Sequence, residues 1–179
     1  MPPVRLLVVL GMPFTEPVQL ARLLAQKLST VQRGFKDLEG YARTSPSTAC
    51  ARLVAQLDAG ALPDPSLIDP VLREFLNSTE SELGVLHQYP NSAEALQLAG
   101  SWADTACVAY IDASADWVDR QSLSRTGVSA SAGHPGFYAR QLARLEEIEQ
   151  LDLRCCSVVR VGVELAREEQ VARILDVLG

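Results

Sequence analysis

Residues Leu6–Leu28 read LLVVLGMPFTEPVQLARLLAQKL. Val4 to Leu10 is a largely apolar run, interrupted by Arg5 and closed by Gly11, the pattern of a strand covered on both faces. Val18, Ala21, Leu24, Ala25 and Leu28 then recur at helical spacing, with Pro17 suited to the first turn and Thr15 or Glu16 placed to cap it. Strand, glycine turn and helix in this order cradle a phosphate in many proteins. Here the turn holds no lysine.

Composition bounds what such a unit can be. With 179 residues, 47% of them hydrophobic, the chain can bury the core of one α/β domain. A net charge of -6 and no run of Lys or Arg argue against a nucleic-acid surface, which needs clustered cations. The N-terminal apolar run is too short to span a bilayer and has no small-residue cleavage site. The expectation is a soluble protein of the cytoplasm or another intracellular compartment, with no signal peptide, no transmembrane segment and no direct membrane insertion. The four cysteines, Cys50, Cys107 and the adjacent Cys155 and Cys156, have no C-x-x-C spacing and lie far in sequence from His87 and His134. Reduced structural thiols are expected, and no metal site.

Further along, helices are expected at about Pro46 to Ala59, Asp64 to Asn77, Ser92 to Ala99, Asp116 to Ser122, Phe137 to Gln150 and Glu168 to Leu178. Strands are expected at Gly84–Leu86, Cys107–Ala113 and Ser157–Val161. Ser122 to Gly136, SLSRTGVSASAGHPG, reads as a mobile surface loop of small residues. Alternation of this kind means a parallel sheet with helices on both faces.

Four stretches together resemble adenylate kinase and its nucleoside monophosphate kinase relatives, most like the short-lid type, over nearly the whole chain. GMPFTEPVQLA (from Gly11) resembles the phosphate loop GxPGxGKGTQxx, and LDAGALPDPSLI (from Leu57) resembles MDAGxLVPDELV of the AMP-binding arm. VAYIDASADWVDRQSLSR (from Val108) resembles the strand and helix before the lid, and RVGVELAREEQVARIL (from Arg160) resembles the last strand and helix. The resemblance implies a three-layer P-loop-NTPase-like α/β sandwich. It forms a single domain over 1–179, with an AMP-arm-like insertion at about 30–68 and a short lid-like loop at 122–136.

The departures from the family's motifs fall on its working residues. Of the phosphate loop, Gly11 and Pro13 survive. Its glycines are replaced by Phe14, Glu16 and Val18, its lysine by Pro17 and its Mg²⁺-binding threonine by Gln19. In GFKDLEG, matched to STGDxLR, Asp37 persists, while Phe35 and Gly40 replace the threonine that reads AMP and the arginine that holds its phosphate. HQYPN, matched to DGFPR, puts His87 and Asn91 where the acid and the arginine stand, and in AGHPG the lid arginine becomes Gly133 and its acids Pro135 and Gly136. Phosphoryl transfer depends on such cations for positioning and charge stabilisation.

What remains of a nucleotide site is Gly11, Pro13, Asp37, Asp112, Arg125 and Arg144. The resemblance gives Arg125 the place of the arginine that packs on adenine and Arg144 that of the lid-exit arginine. A plainer reading pairs Arg144 with Glu147 and leaves Arg125 solvated on a loop. His87 reads as a satisfied loop residue, and Asp112 as a strand-end acid with no cation to hold. Met12, Phe14, Phe35 and Tyr89 would line a vacated apolar groove or pack in the core. The expectation is a catalytically inactive adenylate-kinase-like protein, an interaction or structural subunit whose partners are other proteins in a larger assembly, with no cofactor and no catalytic residue. Two alternatives stand beside it: a working kinase that uses Mg-ATP through Lys27 or Lys36, and a non-catalytic adenine-nucleotide sensor built on Arg125.

Overall fold

A computed structural model describes residues 5–61, 63–78, 83–133, 136–151 and 157–178. The apolar run forms β1 (Arg5–Gly11), and its strands continue as β2 (Gln32–Gly34), β3 (Leu83–His87), β4 (Asp104–Asp112) and β5 (Ser157–Gly162). All pair in parallel in the order β2-β3-β1-β4-β5. Between and after them run α1 (Pro17–Lys27), α2 (Phe35–Thr44), α3 (Thr48–Asp58), α4 (Pro65–Asn77) and α5 (Ala93–Gly100). Then follow α6 (Ala115–Thr126), α7 (Ala130–Gly133), α8 (Phe137–Glu149) and α9 (Arg167–Leu178).

Alternation along the strands separates two cores. Leu7, Val9, Cys107, Ala109 and Ile111 face α1 and α9 through Leu20, Leu24, Val171 and Ile174. Leu6, Val8, Leu10, Val108 and Tyr110 face the other helices through Leu38, Leu53, Leu72, Leu96, Leu145 and Ile148. Both faces are therefore covered, as the near-continuous apolar strands require. The sheet is the expected one, with helices in a layer on each side.

Local chemistry explains the helix starts that sequence located well. Ser47, Asp64, Ser92 and Ser114 each accept a hydrogen bond from a first-turn N–H of the helix that follows, satisfying one of the donors a helix start leaves open. Other expectations are corrected. Neither Thr15 nor Glu16 caps α1 by its side chain, because the Thr15 hydroxyl donates instead to the Met12 carbonyl at 2.6 Å. The segment from Ser122 is not an irregular loop at its start. α6 continues to Thr126 and stops at Gly127 in the left-handed conformation, and Asp119 then accepts from the Ser131 N–H at 2.9 Å to start α7. The short β2 and the helix α2 are additions that the sequence reading lacked.

Val4, Leu62, His134, Pro135, Cys155 and Cys156 lie outside the described residues. Cys50 and Cys107 are free and buried. Among the described residues no helix is long and apolar enough to cross a membrane, and no three His, Cys, Asp or Glu side chains are grouped to hold a metal.

Candidate functional site

β1 stands between β3 and β4, where the chain reverses its direction across the sheet. A parallel sheet opens a crevice at the carboxyl ends of its strands at such a point. A cavity of about 300 Å³ lies there. The β1–α1 loop lines it with Gly11, Met12, Pro13, Phe14 and Pro17, Gln88 and Asn91 lie after β3, Tyr110 is on β4, and Gln141, Arg144, Leu145 and Ile148 come from α8. Its volume is at the small end of the range for organic ligands.

Among the described residues Arg144 is the one charged side chain on this wall. It is exposed, and among the described residues it forms no ion pair, so the expected pairing with Glu147 is not made. Gln88, Asn91 and Gln141 add carboxamides. Burial, with the nearby Asp112 carboxylate, pushes the Tyr110 phenol up to about 12, so it stays neutral and can donate. Neither Lys27 nor Lys36 belongs to the wall. Lys27 ends α1, about 15 Å from the first turn at 1.5 Å per residue.

The loop itself keeps a glycine-like path without glycines. Phe14 and Glu16 have φ of 68° and 59°, a left-handed conformation that costs an ordinary residue roughly 1–2 kcal/mol. These are two of the positions at which the resemblance expects glycine; the third, Val18, is helical. Gly11 remains because a Cβ there would meet the Thr15 hydroxyl at 2.4 Å and the Ile111 side chain at 3.1 Å. Cations arrive from elsewhere in the chain. Arg125, at the end of α6 and not on a loop, donates to Glu16 Oε1 at 3.2 Å and lies over the Phe14 ring, 5.6 Å from its centroid. Arg167, opening α9, donates to the Thr15 carbonyl at 2.7 Å and stands 3.9 Å from Glu16 Oε2.

The other expected residues separate from this cluster. Asp37 closes the β2–α2 turn by accepting from the Gly34 N–H at 2.7 Å. Asp112 does have a cation, contrary to expectation: Arg160 is 3.7 Å away, and it also grips Glu149 in two hydrogen bonds of 2.6 and 2.7 Å. Those bonds hold the Glu149 carboxyl below its ordinary value. His87 is a buried strand residue and not a satisfied loop one, since its Nδ1 has no partner among the described residues. Burial pushes its pKa down, against a smaller opposite pull from Asp37. The four apolar residues do not share one groove. Met12 and Phe14 border the cavity, whereas Phe35 and Tyr89 close a space of only about 10 Å³ beside Gly34. Met12 and Tyr89 are core residues, and Phe14 and Phe35 are half-buried against them.

Sequence reasoning missed Arg160, Arg167 and Gln170. Arg160 and Arg167 reach Asp112 and Thr15 across the fold, over separations at which a helical or strand period carries no information.

Known proteins locate this architecture. No protein-family model matches the chain, and no curated protein is similar to it in sequence. Among solved structures it resembles a gluconokinase from Sinorhizobium meliloti 1021, with a TM-score of 0.58 and 14% identity over 98% of this chain and 91% of that one. The fold is the expected three-layer P-loop-NTPase-like α/β sandwich. At such identity the likeness concerns architecture, and activity has to be argued from the site.

Proposed function

We propose that this chain is a degenerate relative of the nucleoside monophosphate kinases that transfers no phosphoryl group and serves as an interaction subunit of a larger protein assembly. The observation that carries this reading is the β1–α1 loop. Pro17 stands where a phosphate-binding lysine would be, no lysine lines the cavity, and Glu16 points a carboxylate into the loop between Arg125 and Arg167. A bound polyphosphate would meet that charge at close range. The same contact engages Arg125, which an adenine sensor would need free, and Lys27 lies too far along α1 to act in its place. No nucleotide and no Mg²⁺ is assigned as cofactor.

Leu123 and Val128, 55% and 52% exposed, lie close in sequence on α6 and the turn after it, and they are assigned to the protein partner. Two measurements test the reading. Thermal unfolding with millimolar ATP or AMP, with and without Mg²⁺, is expected to show no shift, whereas a ligand at about 100 times its dissociation constant would add about 2.7 kcal/mol. An Mg²⁺-dependent shift accompanied by turnover would sink the proposal. In native lysate the wild type is expected to migrate in a complex and the Leu123→Glu/Val128→Glu variant alone; a wild type that migrates alone would remove the subunit role.

A further inference from the structure

Glu16 meets two guanidinium groups that each have a second anchor. Arg167 is held from behind by Gln170, which is fully buried: Arg167 Nη1 donates to Gln170 Oε1 at 2.6 Å, and Gln170 Nε2 donates to the Gly162 carbonyl at 2.8 Å. Arg167 Nη2 is fixed on the Thr15 carbonyl at 2.7 Å, closer than the 3.9 Å to Glu16 Oε2. Arg125 is steadied by the Phe14 ring as well as by Glu16 Oε1. Remove the carboxylate and both cations keep an anchor. They would face a shared point on the loop with their charge uncompensated.

We propose that Arg125 and Arg167 form a prebuilt seat for an oxyanion, and that Glu16 is an internal carboxylate filling it, an autoinhibitory contact in place of a lost site. The inference rests on the silent reading above and explains it: the cationic charge missing from the loop's own sequence is supplied by α6 and α9 and then cancelled in place. Glu16 is 40% exposed, and ion pairs this open are weak, so the contact can exchange with solvent. A ligand of several negative charges would still have to displace a carboxylate and lie beside it. The seat therefore suits a multiply charged oxyanion only when Glu16 is removed or drawn away.

Inorganic tripolyphosphate is the probe, titrated by calorimetry at low salt into four proteins: the wild type, Glu16→Gln, Glu16→Gln/Arg167→Ala and Glu16→Gln/Arg125→Ala. Thermal unfolding without ligand checks that each is folded. The Glu16→Gln protein is expected to bind at least tenfold more tightly than the wild type, and each arginine change to remove most of that gain. Raising the salt concentration should weaken the Glu16→Gln complex steeply. Equal affinity of Glu16→Gln and wild type, including no binding by either, overturns the seat, as does a gain that survives both arginine changes. Mg-ATP binding with turnover by the wild type would overturn the silent reading instead, so the two failures are distinct.

Discussion

Two strand-to-helix turns stand at the same end of the sheet and are built in opposite ways. In the β2–α2 turn the Gly34 N–H is capped by Asp37 at 2.7 Å, and the Gly34 backbone packs so closely on the His87 ring that a Cβ would come within 2.3 Å of it. In the β1–α1 turn two non-glycine residues are left-handed, the helix start has no side-chain cap, and a 300 Å³ cavity opens alongside. One turn is closed by its own carboxylate and packed tight, and the other is strained and open. Strain that persists beside open space is a mark of a site or of what was once one, while tight, satisfied geometry marks a joint that only has to hold.

The largest test of that contrast is Gly34→Ala. The added methyl meets the buried His87 ring, so a loss of about 3 kcal/mol in unfolding free energy is expected, at the upper end for overpacking. The double variant with His87→Ala should lose less than the sum of the single changes, since the clash is then gone. Strict additivity in chemical denaturation would mean the contact is not what holds the turn.

A smaller effect is expected from pH. Burial lowers the His87 pKa below its ordinary 6.5, with Asp37 opposing. The unfolded chain therefore binds the proton more readily, and stability that is complete above 6.5 falls as pH drops through that value toward the lower folded one. The urea midpoint of the wild type should fall between about pH 7 and about pH 5, and His87→Asn should flatten that fall. An unchanged slope in the variant would assign it to other groups.

The smallest change is expected in the strained turn. Glu16→Gly relieves a left-handed residue by roughly 1–2 kcal/mol. It also loses half-exposed ion pairs worth about 0–1 kcal/mol and gains unfolded-state freedom of about 0.4–1 kcal/mol. A net change within about 1 kcal/mol follows. A loss of several kcal/mol would mean that the turn is held as tightly as its neighbour, and the contrast would fail.

How far the sequence could be read depended on the range of the interactions involved. β1 declares itself by five consecutive apolar residues, and two helix starts by Asp64 and Ser92, because strand burial and capping act within a few residues. β2 has only three residues and no fully buried one, so it left no pattern to find. α2 was read for its AMP-arm motif instead of its period, although Leu38 and Ala42 are the buried residues of its inner face. At the candidate site the absence of a lysine from the loop was plain in the sequence, but the arginines that other helices bring to it were not. Arg167 lies 152 positions from Thr15, and only the folded sheet brings α9 beside the first loop. Arg160 beside Asp112 escaped for the same reason, though the two strands pair directly.

The strand order also has a consequence during synthesis. β1 occupies the middle of the sheet, yet its neighbours begin at Leu83 and Asp104. At about 5–20 residues per second, the ribosome needs on the order of 5–20 s after completing β1 before β4 follows it. For that time Leu6 to Leu10 is an apolar, β-prone ribbon without edge partners, the kind of segment that invites aggregation. Shielding by α1 or by a chaperone has to cover that interval, because this central strand is made long before both of its neighbours.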